Sequence, residues 1–566
     1  MYKLLYYILS VILICLVASN SFGQEDGDNS AISIVWTDQN SSVSIPTGSN
    51  GNKILSLIAG TDLDQDGLKE IIAVVLTSDV AVYRHLCVFE AAGDDNQIDL
   101  VWQYEFPNPI SKTWLQNCCI GDLDGNGVLE IIAIDYVETP SNQPEIYVFE
   151  YSDTDNTYGI AGGTQPNVTW DMNTPDKAED VRSIAVGDLN DDGKDELSVI
   201  VAMSQPAFFI ASIDNFVYQN WAIEFATDEI TYPTPDPAAI TICDLDNDGH
   251  KEVAFTDLKE QGWGRLGFVE YEESEYKLMT VIDIGLPTGD YKPGRNALSA
   301  RDFNGDGQEE LYISCWAGAL FYVVSLHSGM GVDNLSSYDV YLLDDTLDPL
   351  FLGCSVICDW DHGPGSDGMD YVVGGDRVTY SGEKLPEIYD WEYIGGDFGD
   401  VTDPENYKFY KLINEDEMVD LLGKKESLCC VACGNDLDGD GKNEIVFGRI
   451  AYYMQKEAIF VAEFSGSSPV IDTKNNLVLD AYSLLQNYPN PFNNSTVIEF
   501  SLKGQGKVSS RVYSLSGQEV VSLVDGEMVT GRHKVSWIPA ELASGVYFYT
   551  ISVNGFKQTR KLIFLK

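Results

Sequence analysis

The residues best suited to chemistry in this sequence are carboxylates on alternate positions of short acidic segments. Six segments follow the pattern Asp-x-Asp/Asn-x-Asp/Asn-Gly-x-x-Glu, with oxygen-bearing side chains at positions 1, 3, 5 and 9. Carboxylates spaced in this way along a tight loop can converge on one hard cation, and calcium takes about six to eight oxygen ligands. The pattern therefore predicts six Ca²⁺ sites. Their side-chain ligands are Asp62, Asp64, Asp66 and Glu70; Asp122, Asp124, Asn126 and Glu130; Asp188, Asn190, Asp192 and Glu196; Asp244, Asp246, Asp248 and Glu252; Asp302, Asn304, Asp306 and Glu310; and Asp436, Asp438, Asp440 and Glu444.

The remaining positions of the pattern also suit calcium. Glycine at position 6 permits a sharp turn, and position 7 is expected to supply a backbone carbonyl. The last acid stands at position 9 and leads into an apolar run, which distinguishes these segments from EF-hands. Mg²⁺ fits less well because it resists complete dehydration. Asp and Gly are also common in ordinary turns, but six copies in register favour a metal-binding loop.

A seventh copy, with Asp359, Asp361 and Asp367, is interrupted by residues 362–366 and is expected to be degenerate.

The spacing of these segments predicts the fold that positions them. Successive first positions are 60, 66, 56, 58, 57 and 77 residues apart, and each interval has room for four short apolar runs. Four strands per repeat, arranged radially, leave no long exposed sheet edge. We therefore predict an all-β chain: a seven-bladed β-propeller over residues 24–464 and a small C-terminal β-sandwich. After the last segment one strand is missing, and residues 32–36 (ISIVW) are expected to complete that blade.

The repeat resembles the FG-GAP or VCBS repeats of integrin alpha-subunit propellers and of secreted bacterial proteins. The match is carried by phrases such as residues 186–193 (VGDLNDDG) and extends over about residues 30–465. The resemblance implies seven blades, calcium loops between the first and second strands on one face, and ligand binding on the opposite face. The chain lacks a Phe-Gly…Gly-Ala-Pro signature.

Both ends of the chain indicate export. Residues 1–23 read as a signal peptide, with Lys3 before an apolar run, and the mature chain is expected to begin near Gln24. A polar linker is predicted at 465–480. Residues 480–566 carry nine Lys and Arg against six Asp and Glu, in contrast to the formal charge of −55 for the whole chain.

The C-terminal domain, residues 481–566, contains the segments 486–493 (QNYPNPFN), 512–517 (VYSLSG), 543–548 (ASGVYF) and 561–563 (KLI). Through these segments it resembles type A sorting domains of the type IX secretion system. The resemblance implies crossing of the outer membrane, contact with the type IX machinery, and release or attachment at the surface of a Gram-negative cell. We predict strands at 496–502, 507–513, 531–537 and 545–553, with turns at 516–517, 525–526 and 554–555.

Charge and residue types narrow the functional classes. The net charge of −55 disfavours nucleic acid as a partner, and no apolar run after the signal is long enough to span a membrane. The ten cysteines after the signal lie mostly in apolar runs and are expected to be packed thiols, with Cys354/Cys358 and Cys429/Cys433 as candidate disulfides.

The predicted function is a surface binding or adhesion module for a glycan or a surface protein. The alternative is a polysaccharide-active enzyme, a lyase or hydrolase, on a calcium-stabilised propeller. No catalytic residue is assigned, and the five histidines are expected to be structural or exposed. Residues expected on the face away from calcium, where sugars could stack, are Trp114, Tyr232, Trp263, Tyr291, Lys292, Arg295 and Trp316.

Overall fold

The computed structural model describes residues 32–464 and 483–564 with gaps. The main gaps are 42–51, 108–116, 136–143, 173–179, 228–238, 284–292, 359–368, 412–426, 451–457 and 485–491. The predicted signal peptide and the linker at 465–480 lie outside the described residues. The chain divides into two compact units, Met1–Ile471 and Asp472–Lys566.

The described residues of the first unit form 28 strands, which pair antiparallel in seven groups of four. We call these groups blades 1–7. The chain opens with β1 (Ile32–Thr37), and blade 1 contains β2 (Asn52–Thr61), β3 (Glu70–Thr77), β4 (Tyr83–Ala91) and β5 (Ile98–Glu105). Blades 2 and 3 contain β6 (Cys118–Gly121), β7 (Glu130–Ile134), β8 (Ile146–Glu150) and β9 (Val168–Trp170), then β10 (Asp180–Gly187), β11 (Glu196–Ala202), β12 (Phe208–Ile213) and β13 (Trp221–Thr227).

The later blades follow the same order. Blades 4 and 5 contain β14 (Ile240–Cys243), β15 (Glu252–Leu258), β16 (Gly264–Glu272) and β17 (Glu275–Asp283), then β18 (Pro293–Arg301), β19 (Glu310–Cys315), β20 (Phe321–Leu326) and β21 (Tyr338–Asp344). Blade 6 contains β22 (Leu350–Cys358), β23 (Asp370–Val378), β24 (Lys384–Tyr393) and β25 (Tyr407–Lys411), and blade 7 contains β26 (Ser427–Asn435), β27 (Glu444–Ile450) and β28 (Ile459–Phe464) together with β1.

The first strands of the blades form the inside of a ring. They contact one another in the order β2, β6, β10, β14, β18, β22 and β26, and β26 contacts β2 again. The second strands are apolar on both faces because they pack between neighbouring blades, as in β7, where all five residues are buried. The outer strand β13 is largely exposed instead. This arrangement is that of a β-propeller and is consistent with the seven predicted blades.

The N-terminal strand completes the last blade, as predicted. β1 pairs antiparallel with β28, and the Trp36 side chain is only 2% exposed in a core cluster with Ile459 and Val461. Just beyond β1, the Asp38 carboxylate accepts hydrogen bonds from the backbone N–H groups of Ala458 (2.6 Å) and Ile459 (3.1 Å). The two distant parts of the chain are therefore joined by a strand pair, a buried ring and a buried carboxylate.

The second unit contains two antiparallel sheets around one apolar core, as expected for a β-sandwich. One sheet has the order β29 (Ser483–Leu484), β30 (Thr496–Leu502), β33 (Gly531–Trp537), and the other β32 (Glu519–Met528), β31 (Gly506–Ser514), β34 (Gly545–Val553), β35 (Phe556–Phe564).

One turn predicted in this unit is wrong. Asp525 and Gly526 lie inside β32, opposite Ser509 and Val508. The dipeptide continues the antiparallel pairing of β32 with β31, and the Asp525 carboxylate lies 3.3 Å from both Lys507 and Arg511. The turn predicted at Asn554 and Gly555 is confirmed, with both residues at positive φ.

Candidate metal centres

The acidic segments are the connections between the first and second strands of the blades. We number them by blade: loop 1 (62–70), loop 2 (122–130), loop 3 (188–196), loop 4 (244–252), loop 5 (302–310) and loop 7 (436–444). In each of these loops the glutamate at position 9 is the first residue of the second strand. All these position-9 side chains are at most 1% exposed. Loop 6, the predicted degenerate copy, falls mostly within the undescribed residues 359–368.

The six loops share one hydrogen-bond pattern. The position-9 carboxylate accepts a bond from the N–H of position 2, for example from Leu245 to Glu252 at 2.8 Å. The position-1 carboxylate accepts a bond from the glycine N–H, and the position-5 side chain accepts one from position 7. The glycine has a φ between 85° and 97° in all six loops, where a side chain would be strained. The repeat therefore encodes one repeated conformation.

Carboxylate oxygens converge in four of these loops. In loop 4 one oxygen each from Asp244, Asp246, Asp248 and Glu252 lies within 4.8 Å of the others. Three carboxylates converge in the same way in loops 1, 2 and 7. In loops 3 and 5 the position-3 residue is asparagine, and its amide donates to a neighbouring carboxylate, as from Asn190 to Glu196 at 2.8 Å. These acidic clusters have the donor set that a hard cation requires.

A second feature of these loops is a buried carboxylate oxygen without a hydrogen-bond partner. Oε2 of each position-9 glutamate accepts the bond from position 2. Within the described part of the chain, the other oxygen, Oε1, is buried without a hydrogen-bond partner in Glu70, Glu130, Glu252 and Glu444. Buried polar atoms are almost always satisfied, and a bare buried carboxylate oxygen is costly. A bound cation would satisfy this oxygen.

The electrostatics of the loops lead to the same conclusion. Burial, with a smaller contribution from neighbouring aspartates, raises the pKa of Glu130 and of Glu252 to about 9 and that of Glu70 to about 8. Burial likewise raises the pKa of Glu444 to about 8. Without a positive partner, the ionised form of these groups is therefore unfavourable at neutral pH. A cation among them would restore the charged state.

The strand register reveals carboxylates that the sequence pattern did not include. The third strand of four blades places an acid directly opposite the acid that begins the second strand. The pairs are Glu70 with Glu90, Glu130 with Glu150, Asp370 with Glu392, and Glu444 with Glu463. Like charges directly opposite each other destabilise a sheet. Each pair thus adds negative charge beside its loop.

In blades 1 and 7, different side chains contact the acid on the third strand. In blade 1, oxygens of Asp64, Glu70 and Glu90 converge within 4.8 Å, and the Asn156 amide holds both oxygens of Glu90, at 3.1 and 2.9 Å. In blade 7 the Lys442 ammonium contacts Glu463 and lies 3.0 Å from Asp440. Glu90 and Glu463 could be recognised as neighbours of the loops only from the strand register, because each is a single acid in an ordinary strand.

Neighbouring loops are also tied together. The Asp195 carboxylate of loop 3 accepts the N–H of Asp122 in loop 2 (2.7 Å), and the Glu309 carboxylate of loop 5 accepts the N–H of Asp244 in loop 4 (2.9 Å). His250 of loop 4 lies 2.7 Å from Asp191 of loop 3. These contacts use side chains at positions 4, 7 and 8, none of which the pattern assigned as a side-chain ligand. Loops 2–5 therefore form a connected series on one end of the ring.

The other residues considered from the sequence contribute little to this site. Among the described histidines, His85 is buried beside Glu105, and burial lowers its pKa. His327 lies 2.8 Å from Asp339, and His533 packs against the Phe500 ring. The residues predicted on the opposite face, Trp114, Tyr232, Trp263, Tyr291, Lys292, Arg295 and Trp316, and also His362, lie outside the described side chains.

Comparison with solved structures gives distant matches. A glycoside hydrolase family 43 arabinoxylan arabinofuranohydrolase from Bacillus subtilis aligns at 11% identity and a TM-score of 0.22, covering 94% of this chain and 99% of the hydrolase. A polysaccharide lyase aligns at 9% identity and a TM-score of 0.14, covering 77% of this chain and 46% of the lyase. Scores this low carry no argument about function. No curated protein matches the sequence.

The C-terminal unit has a clear family assignment. Residues 486–565 match the secretion system C-terminal sorting domain, which confirms the prediction made from residues 486–493 and 543–548. Among the described residues, no helix has the length and apolar character needed to cross a membrane. The chain therefore carries a C-terminal type IX sorting domain and is a secreted or outer-surface protein of a Gram-negative bacterium.

Proposed function

We propose that the first unit is a calcium-binding propeller that serves as a binding or adhesion module at the cell surface. The observation that carries the calcium assignment is the buried, unpartnered Oε1 of the position-9 glutamate, which recurs in loops 1, 2, 4 and 7 of the described chain. In the same loops, backbone hydrogen bonds hold the side chains at positions 1 and 5. The resemblance to FG-GAP or VCBS repeats supports the same assignment.

Calcium suits these loops better than magnesium. Loop 4 alone offers four converging carboxylates, and the carbonyl of position 7 would add a fifth oxygen. Calcium accepts such a crowded, all-oxygen shell, whereas Mg²⁺ keeps several of its waters. The ligands we assign are the side chains at positions 1, 3, 5 and 9 of loops 1–5 and 7. Glu90 is an additional candidate ligand in blade 1.

The role of the metal in this proposal is structural. Each ion would hold the start of a second strand against the end of the first strand. The contacts that connect loops 2, 3, 4 and 5 in series would couple the ordered loops to one another. A rigid ring outside the cell presents a fixed surface to a partner at low entropic cost. The proposed partner is a glycan or a surface protein of a neighbouring cell.

A single isosteric substitution tests the metal site. We expect Glu252→Gln to weaken calcium binding at loop 4 by about tenfold or more, equivalent to about 1.4 kcal/mol, because a charged ligand is replaced by a neutral one. The glutamine carbonyl can still accept the N–H of Leu245, so the fold should persist. Isothermal titration with CaCl₂, supported by equilibrium dialysis with ⁴⁵Ca²⁺, measures the change.

The matched control is Glu275→Gln, which removes the same charge from an exposed position of the same blade. It should bind calcium like the parent protein. If Glu252→Gln and Glu275→Gln were indistinguishable from the parent in affinity and stoichiometry, loop 4 would not be a calcium site.

A paired assay tests the binding role against the enzymatic alternative. The chain lacking residues 1–23 is applied to a glycan array and, in parallel, incubated with the same polysaccharides. We expect retention on the array that is lost in excess EGTA, without release of new reducing ends or unsaturated products. Release of such products would assign a hydrolase or lyase activity instead, and the absence of any glycan retention would favour a protein partner.

A further inference from the structure

Two cysteines lie side by side at the junction of blades 6 and 7. Cys358 is the last residue of β22 and Cys433 lies near the end of β26, and these two innermost strands contact each other. Both are free thiols in the structure, and each shifts the pKa of the other, which places the two side chains next to each other. Both line the central cavity of about 740 Å³, which is bordered by first strands of several blades.

Other buried thiols nearby have different partners. Cys118 Sγ lies 3.4 Å from the Ser56 hydroxyl, Cys354 Sγ lies 3.7 Å from the Gly374 carbonyl, and Cys430 Sγ lies 3.8 Å from the Ile54 carbonyl. Among the described thiols, the close pair is thus Cys358 with Cys433 and not Cys354 with Cys358; the Cys429 side chain, part of the other predicted pair, lies outside the described residues.

A metal site does not explain this pair. In the part of the chain that the structure describes, the groups of three or more His, Cys, Asp or Glu side chains that converge within 4.8 Å all lie at the acidic loops. Two thiolates alone are too few for a structural zinc site, which takes about four ligands. A covalent bond between the two sulfurs needs no third group.

We propose that Cys358 and Cys433 form a disulfide in the exported protein, linking the innermost strands of blades 6 and 7. Each thiol loses one hydrogen and one S–S bond forms. The two electrons and two protons pass to the disulfide of an envelope thiol–disulfide oxidoreductase, which becomes a dithiol. The confirmed export route carries the chain out of the reducing cytosol, and disulfides persist in such compartments.

The surroundings favour attack by Cys433. Its sulfur is half-buried, lies 3.4 Å from the Asn435 side-chain oxygen, and lines the cavity. The neighbouring Cys358 thiol, then the Asn435 backbone N–H, and then the charges of Arg301 and Lys69 lower the pKa of Cys433. The thiolate is the attacking species in thiol–disulfide exchange. Cys358 is buried and is the resolving partner.

The position of the bond gives it a structural role. Cys358 directly precedes loop 6, the copy stretched by residues 362–366, and Cys433 stands three residues before loop 7. A disulfide here would fasten blade 6 to blade 7 where the repeated metal loop is interrupted. It would close a chain segment of 75 residues (433 minus 358), and constraining such a long segment in the unfolded state stabilises the fold.

Peptide mapping of the secreted protein tests the proposal. Free thiols are alkylated in denaturant without reductant, and the digest is analysed by mass spectrometry before and after reduction. We expect one linked pair of peptides containing Cys358 and Cys433, two hydrogens lighter than the separate thiol peptides. Alkylation of both residues in the unreduced protein, or linkage of either one to another cysteine, would overturn the proposal.

Serine variants test whether the proposed disulfide stabilises the fold. Cys358→Ser, Cys433→Ser and the double variant should all lower the melting temperature by the same several degrees, and reductant should have no further effect on them. Cys354→Ser, on the same strand, should keep both the linked peptides and the response to reductant. The map of the parent protein decides the question even if a variant does not fold. Because the assay requires no calcium, it is independent of the metal assignment.

Discussion

In excess EGTA, the propeller unit is expected to melt about 7–15 °C below its melting temperature in 5 mM CaCl₂. Extracellular calcium sites have dissociation constants of about 0.1–1 mM. Each filled site then contributes about 1–2.3 kcal/mol at 5 mM calcium, and six sites contribute about 6–14 kcal/mol. The unfolding entropy of about 2.1 cal/mol/K per residue converts this sum into the stated shift for a unit of this size.

Differential scanning calorimetry of the chain lacking residues 1–23 measures the effect. The sorting domain provides an internal control, since it lacks the acidic repeat and its transition should not respond to calcium. Magnesium at the same concentration should restore only part of the stability. A propeller transition that is identical in calcium and in EGTA would refute the calcium proposal for all loops together.

Removal of residues 481–566 is expected to abolish arrival of the protein at the surface or in the medium. The sorting domain confirmed at residues 486–565 is the part of the chain that the secretion machinery reads. The first unit, Met1–Ile471, has its own ring and core clusters and should fold without it. We therefore expect a folded propeller in the periplasm, with unchanged calcium stoichiometry.

Cell fractionation followed by immunoblotting measures this outcome. Residues 472–566 fused to a periplasmic reporter provide the reciprocal control, and the reporter should leave the cell. Truncated protein that still reaches the medium would show that export depends on another segment. Calcium titration of the periplasmic product shows whether the truncated chain has folded.

Much of the fold could be predicted because the repeat is regular. The apolar runs beside each acidic segment gave the first and second strands, and a spare strand at residues 32–36 predicted closure with the last blade. The turn predicted at Asp525 and Gly526 was wrong because both residues continue the pairing of β32 with β31, which overrides the local turn preference of this dipeptide. Local propensity cannot anticipate such partners.

The candidate site was predictable only within each loop. Positions 1, 3, 5, 6 and 9 recur in sequence, so their shared hydrogen bonds follow from the pattern. Glu90 and Glu463 become neighbours of the loops through strand register, and Asp195 and Glu309 through contact between blades. Cys358 and Cys433 are likewise brought together by the order of the blades. Each of these relationships depends on which strands lie next to each other in the ring.

Because the N-terminal strand closes the ring, the ring can close only late in synthesis of the chain. The backbone of Ala458 bonds to Asp38 across 420 residues of chain. A ribosome adds about 5–20 residues per second, so β1 waits about 20–85 s for β28 to be made. The rest of the chain, including the sorting domain, follows within about 5–20 s. The last blade and the export signal are thus finished almost together, and a chain interrupted before residue 464 has neither a closed ring nor a signal for leaving the cell.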